Sequence, residues 1–282
     1  MSSVKGCLNF EHAERILVLL GEQAVRAYVI NLDRAQARLA AFDAQARGIG
    51  LCYERIRAVE ACSIAEAPEG MLPTAVACFH SHRLAWRKIA ESGDAWGAVF
   101  EDDVLLSASL AGLLAEPRWI PRDASVIKLE TVNTPTKMGR RGRKIAGCLG
   151  LHDLLNYHSG AGGYLIRADA AKLFLALSET IERPVDDVLF DLAVAKERGL
   201  RVLQMVPAVC VQDRVLAEID GRAIVHETQM QTVSAPLARG CLTLRQKLGR
   251  EALRLPRQLG NVVRNLRRGI VFPVRIRVPF ER

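Results

Sequence analysis

Short apolar runs of strand character take turns along this chain with stretches of helical periodicity, and that alternation constrains its fold more than any other property. "RAYVINL" (26–32) has the character of a first strand, and "DRAQARLAAFDAQARGI" follows as an amphipathic helix ending near Gly48 and Gly50. "CYERIRAVEA" resembles a second short strand. After a loop holding Pro68, Gly70 and Pro73, residues 74–92 read as a helix with Thr74 as its N-cap. "WGAVF" (96–100) and "SVIKLE" (125–130) read as further strands, "MGRRGRKIAG" (138–147) as an irregular loop, and "GGYLIRADAAKLFLALS" (162–178) as strand then helix. "PVDDVLFDLAVAKERG" reads as one helix begun by Pro184, and "LRVLQMVPAVCVQ" as a last strand region. Strands alternating with helices predict an α/β fold with a largely parallel central sheet.

At 282 residues the chain can bury a substantial core, as one large domain with an appendage or as two smaller domains. Its composition is half hydrophobic, yet no uninterrupted apolar segment reaches the roughly 18 residues of a membrane span. The apolar run at 16–20 is too short for a secretory leader and follows Glu11, Glu14 and Arg15, so a cytosolic protein is expected. The seven cysteines are scattered and odd in number, without a CxxC pair, and they read as reduced thiols.

One feature stands out at a strand end. In "WGAVFEDDVLLS" (96–107) the apolar run stops at Glu101, Asp102 and Asp103. In open α/β sheets ligands collect outside the carboxyl ends of strands. Adjacent carboxylates repel one another, and a hard oxygen cluster of this kind suits Mg²⁺ or Mn²⁺, with Asp103 and Asp102 as the ligands. The alternative is a solvated acidic turn that caps the next helix.

Three segments taken together go further: "VINLDRAQAR" (29–38), "LPTAVACFHSHRLAWRKIAESGDAWGAVFEDDVLLS" (72–107), and "GAGGYLIRADAAKLF" with "PVDDVLFD" (160–191). In that order and at those distances they resemble glycosyltransferase family 25, the bacterial lipopolysaccharide and lipooligosaccharide glycosyltransferases. The likeness covers residues 26–215. One departure is Ala75-Val76-Ala77 ahead of Cys78, where the family usually carries a glycine.

The resemblance implies an inverting transferase on a GT-A-like α/β fold, using a nucleotide sugar, UDP-galactose in many members, and commonly Mn²⁺. The acceptor implied is a lipid-linked oligosaccharide. Glu101 and Asp102 then belong to the donor site, with Asn31 and Arg34 at the end of the first strand where nucleotide recognition falls. A carboxylate must take the acceptor proton. Asp187 and Asp186 are the candidates, Asp187 preferred, and Glu130 comes next; simple charge compensation at a helix N-terminus is the other reading of the pair. The family's Ser-His pair matches Ser81 and His82. His82 could share a helix face with Cys78 and bind metal, but Phe79 and Trp86 point to a packed face on which it makes a hydrogen bond; it is counted with the donor site. His80 and His158 have no such support. Gly160, Gly162 and Gly163 lack the spacing of a dinucleotide or P-loop fingerprint and suit a close backbone turn beside the donor or acceptor.

The charge is uneven. Residues 241–282 carry 11 basic and 2 acidic side chains, against 28 basic and 29 acidic before them. Leu244, Leu248, Ala252, Leu255, Leu259, Val262, Leu266 and Ile270 recur at helical intervals between arginines, the pattern of a basic amphipathic tail that lies on anionic membrane. Pro256 and three glycines break it. A helix packed on the catalytic domain, residues 1–240, is the alternative. On that division the protein works peripherally at the inner face of the plasma membrane. Two other classes compete: a metal-dependent protein associated with nucleic acid, disfavoured by a tail poor in aromatics, and an inactive binding module on a membrane.

Overall fold

The computed structural model describes residues 24–222 and 273–282. Its first strands are β1 (Arg26–Asn31), β2 (Tyr53–Arg57) and β3 (Trp96–Glu101), which pair in parallel with β1 in the middle. Helix α1 (Gln36–Ile49) links β1 to β2 and buries Phe42 and Ala46, one turn apart on the same face. It ends at Gly50, whose φ of 74° is the left-handed cap that glycine adopts most cheaply. Helix α2 (Pro73–Glu91) starts with Pro73 in its first turn, and Leu72 is its N-cap; Thr74 lies inside the helix, where the sequence suggested a cap.

The remaining strands correct the parallel-sheet expectation. β5 (Val126–Lys128), β9 (Gly150–Asp153), β10 (Gly163–Arg167) and β11 (Val202–Val206) join β1–β3, and β8 (Arg143–Lys144) completes eight strands in the order β2-β1-β3-β10-β5-β11-β9-β8. β10 runs antiparallel to both β3 and β5, and β9 runs antiparallel to β11 and β8, so the sheet is mixed. Alternate residues of its central strands feed separate cores on the two faces. Tyr28, Ile30, Val99, Tyr164 and Ile166 pack with α2 and α4 (Ala168–Leu177); Ala27, Val29, Ala98, Phe100 and Leu165 pack with α1 and α3 (Leu110–Ala115).

Three regions read as single elements are divided. "SVIKLE" splits at Leu129 into β5 and β6 (Glu130–Thr131), and "LRVLQMVPAVCVQ" into β11 and β12 (Cys210–Gln212). β12 lies between β6 and β4 (Val104–Leu106) in a second, three-stranded sheet. "PVDDVLFDLAVAKERG" forms α5 (Val185–Leu189) and α6 (Leu192–Glu197), because the Asp191 carboxylate accepts from the backbone N–H groups of Ala193 and Val194 and starts a new helix. The expected loop at "MGRRGRKIAG" includes the end of β7 (Pro135–Gly139) and all of β8.

Helix α7 (Asp213–Asp220) follows β12. The amphipathic pattern at 244–270 falls outside the described residues. Where the sequence suggested a helical tail, 273–277 form strand β13 (Pro273–Arg277), antiparallel to β7. The Thr131 hydroxyl donates to the Val278 carbonyl over 2.7 Å, and Ser107 and Ser109 donate to the Glu281 carboxylate. Val278 is buried with Met138 and Ala208. The last ten residues are part of the folded body.

Candidate active site

Because β1 and β3 are parallel neighbours with Ile30 opposite Glu101, their carboxyl ends finish at one edge and bring Asn31 beside the three acids. The Asn31 amide donates to Asp102 Oδ2 over 2.5 Å, and its own oxygen accepts from Arg55. Arg38, in the first turn of α1, sits 3.3 Å from Asp102 Oδ1. Both oxygens of Asp102 therefore have protein partners. Burial pushes its carboxyl up, with Arg38 and Asn31 opposing that rise.

Asp103 is different. Its Oδ1 is buried with no hydrogen-bond partner. Burial, then the charges of Glu101 and Asp102, push its carboxyl well above the usual range. A buried carboxylate oxygen among like charges is the donor that a hard divalent cation would satisfy, so the residues present fit one at Asp103. Asp102, already held at both oxygens, fits a supporting place beside it.

Glu101 is held by the face of α2. Cys78 and His82, one turn apart, both reach Glu101 Oε1, at 3.8 Å from Sγ and 3.2 Å from Nε2, while the Gln212 amide at the end of β12 donates to Oε2 over 3.2 Å. Burial raises the Glu101 carboxyl, but the His82 and Gln212 bonds outweigh it and leave it below its ordinary value. The three groups on this oxygen cluster are close enough for a metal. Burial beside Glu101 raises the Cys78 thiol, however, so that it stays protonated, and both His82 ring nitrogens already have partners.

Two clefts meet at this point. The first, with a cavity volume of about 110 Å³, is lined by Arg34, Arg38, Cys78, Ser81 and all three acids, together with Leu32 and Val59. The second, about 420 Å³, is lined by Cys78, Glu101, Ser159, Gly160, Asp186, Gln212, Arg214 and Glu218. Cys78 and Glu101 are common to both. Asp186 Oδ2 accepts from the Tyr157 hydroxyl over 2.7 Å and from the Gly160 N–H over 2.9 Å, which fixes it on the wall of the second cleft. Asp187 is not among the residues lining either cleft; burial and the neighbouring Asp186 raise its carboxyl.

Most of the other residues singled out in the sequence lie behind the clefts. His82 is fully buried and lines neither. Gly162 and Gly163 are packing positions: a Cβ at Gly162 would press on Glu130 and Val104, and one at Gly163 would collide with Cys210 Sγ. Glu130 is fully buried, paired with Lys128 at 3.2 Å and accepting from the Gly162 N–H. His158 is bonded to Gln204 in the interior, and burial lowers its pKa to about 4. Arg34 pairs with Glu60 at the rim of the first cleft. Arg38, Gln212 and Tyr157 are site residues not singled out in the sequence; Arg38 alone had a local signal, since it closes the segment "VINLDRAQAR" (29–38).

Residues 24–189 match the model of glycosyltransferase family 25, described as an LPS biosynthesis protein, and that span is more than half of the chain. The chain belongs to this family. Among its relatives, the lacto-N-neotetraose biosynthesis glycosyltransferase LgtB of Neisseria gonorrhoeae is 34% identical over 146 residues, covering 49% of this chain and 52% of that protein. The lipooligosaccharide biosynthesis protein lex-1 of Haemophilus influenzae is 29% identical over 146 residues, 48% of each chain. The chain thus spans about half the length of the curated relatives it matches. A glycosyltransferase involved in the glycosylation of the major capsid of PBCV-1 aligns over 67% of this chain and 92% of its own, with 10% identity and a TM-score of 0.41, too weak a likeness to bear on the fold or the chemistry. The family match spans both the acid-bearing edge and Asp186.

Proposed function

We propose that this chain is an inverting glycosyltransferase that moves a hexose, galactose by preference, from a UDP-sugar to a lipopolysaccharide or lipooligosaccharide-type glycan. The observation that carries the reading is the pair of clefts meeting at Glu101. The first combines two arginines with an acid cluster, the chemistry that suits a nucleoside diphosphate and its counter-ion. The second offers carboxylate, amide and hydroxyl groups, which suit sugar hydroxyls. A donor in the first cleft and an acceptor in the second would place the anomeric carbon at their junction. The GT-A-like designation belongs to the same reading, with the mixed sheet described above.

In direct inversion the acceptor oxygen forms its bond to the anomeric carbon as the bond to the diphosphate oxygen breaks, and the electron pair leaves on the diphosphate. Asp186 is the base we favour for the acceptor proton, since it lines the second cleft and its orientation is fixed by Tyr157 and Gly160. Asp187 stands next to it as the other candidate. Asp103, with Asp102 beside it, would hold Mn²⁺ or Mg²⁺, which supplies Lewis-acid stabilisation of the departing charge. Arg38 opposes the rise that burial imposes on the Asp102 carboxyl and adds positive potential at the same edge.

The basic residues of 241–272 remain our proposed attachment to an anionic membrane surface bearing a lipid-linked acceptor, which would put the enzyme peripherally at the inner face of the plasma membrane. Among the described residues no helix is long and apolar enough to cross a membrane. The reading is tested by transfer from a panel of nucleotide sugars to hexoside acceptors, with and without Mn²⁺. Metal-stimulated transfer from UDP-galactose is expected; absence of transfer and of donor hydrolysis with every nucleotide sugar overturns it.

A further inference from the structure

A chain of buried hydrogen bonds leads from the interior to Glu101, and its direction can be read from one end. The Trp86 Nε1–H is only a donor, and it lies 2.8 Å from the Tyr164 hydroxyl oxygen. That oxygen is also 2.9 Å from His82 Nδ1. Tyr164 accepts from Trp86; its own proton finds an acceptor in Nδ1 when Nδ1 carries no hydrogen, and the Glu101 carboxylate facing Nε2 selects that arrangement. With Nδ1 accepting, the ring proton sits on Nε2, which faces Glu101 Oε1 at 3.2 Å. The opposite tautomer would aim a bare Nε2 lone pair at a carboxylate. Trp86, Tyr164 and His82 are all fully buried, so water does not offer alternative partners.

The packing makes this relay stiff. Trp86 and His82 are one turn apart on α2, and Tyr164 stands opposite on β10, its ring stacked at 5.7 Å and 24° on the imidazole. Phe79 and Phe174 close on Trp86 at 5.8 and 5.7 Å. At the far end Gln212 holds the other oxygen of Glu101, so the carboxylate is fixed from both sides at the boundary of the two clefts.

We propose that His82 is a positioning residue: held by Trp86 and Tyr164 in the tautomer protonated at Nε2, it aims the Glu101 carboxylate at a hydroxyl of the sugar being transferred. This rests on the transferase reading above. A carboxylate has about four acceptor positions, of which His82, Cys78 and Gln212 occupy three, leaving one on Oε2 for a substrate hydroxyl. On that reading the nucleotide and diphosphate would lie toward Arg34 and Arg38 in the first cleft, so the relay would bear on the sugar and not on the rest of the donor.

The test pairs two amides that mimic different halves of the imidazole. Gln at position 82 can place an N–H where Nε2 stood, whereas Asn reaches only the Nδ1 position. With the full-length protein, kcat, donor KM and inhibition by UDP are measured for His82→Gln, His82→Asn and Glu101→Gln, and for His82→Asn combined with Glu101→Gln, together with Tm. His82→Gln should keep most of the activity. His82→Asn should lose kcat on the order of 10²-fold, as expected for a misplaced polar group, with UDP inhibition unchanged. In the Glu101→Gln background the Asn substitution should cost little more, because the carboxylate that it misplaces is already gone. Equal losses in the Gln and Asn variants, or full additivity with Glu101→Gln, would overturn the proposal. Imidazole ¹⁵N shifts of His82 read the tautomer whether or not any sugar is transferred. A protonated Nε2 is expected, and a protonated Nδ1 would overturn the relay even in an active enzyme. A wild-type protein that shows the expected tautomer but transfers no sugar from any donor overturns the placement of Glu101 on a transferred sugar, and the transferase reading with it.

Discussion

Asn31 and Asp102 lie 71 positions apart in sequence, yet the Asn31 amide donates to Asp102 Oδ2 over 2.5 Å because β1 and β3 are adjacent and parallel. With Arg38 on the other oxygen, Asp102 is committed to the protein, whereas Asp103 has a buried oxygen without a partner. The two aspartates should therefore respond differently to mutation. Asp103→Asn should lower Mn²⁺-dependent transfer by about 10²-fold or more while the fold is kept. Turnover titrated with Mn²⁺ checks this, and wild-type rates at saturating metal would refute it.

The same orphaned carboxylate has a consequence for stability without metal. The folded-state pKa of Asp103 is raised by burial and by Glu101 and Asp102. Its contribution is thus fully present below the ordinary carboxyl pKa and is lost as pH rises through the raised value. In EDTA the wild-type Tm should fall over that window relative to Asp103→Asn, which has no proton to lose there. Parallel Tm–pH curves for the two proteins would count against the assignment.

Arg38→Met should destabilise the protein by about 1–3 kcal/mol, since it leaves one oxygen of a buried carboxylate without a partner. Restoring much of that loss by adding Asp102→Asn would show that the charge, and not the packing of the arginine stem, is responsible. Denaturant midpoints of the two single variants and the double variant supply the measurement.

At the second cleft, Asp186→Asn should reduce turnover by about 10²-fold or more with donor KM largely kept. Tyr157→Phe, which removes one of the two donors to Asp186 Oδ2, should have a smaller effect in the same direction. If Asp187→Asn is the more damaging of the neighbouring variants, the base belongs to Asp187.

Replacing the arginines at 245, 250, 254, 257, 264, 267 and 268 by Gln, with residues 273–282 left intact, should weaken co-sedimentation with anionic liposomes but leave the fold unchanged. Binding of the unmodified chain should fall with added salt. Equal partitioning of the two proteins would remove the membrane role.

The acid-bearing edge was legible because it depends on local order: an apolar run ending in Glu101-Asp102-Asp103, and a helical stripe through Cys78, His82 and Trp86. Sheet direction was not, because "GGYLIRADAA" specifies a strand and a helix but nothing in it says that β10 runs against β3 and β5. Glycines and basic residues concealed β7 and β8 within an apparent loop. In "VRIRV" the alternation of Val274, Ile276 and Val278 with two arginines is a strand pattern, overshadowed by the helical spacing upstream. Gln212 and Tyr157 reach the site only through tertiary packing, and no spacing could have announced them. The glycines at 162 and 163 were read as ligand-adjacent, but Glu130, Val104 and Cys210 crowd them from inside.

The return of residues 273–282 to the body of the protein also sets an order of events during synthesis. Met138 and Ala208 are made long before Val278, which completes their small core, and Ser107 and Ser109 before Glu281. That corner cannot assemble until residues 278–281 have left the exit tunnel, so it closes later than the strands it docks on. Whatever is joined after Arg282, a protein tag included, leaves from a docked segment, beside the Asp220 partner of that arginine.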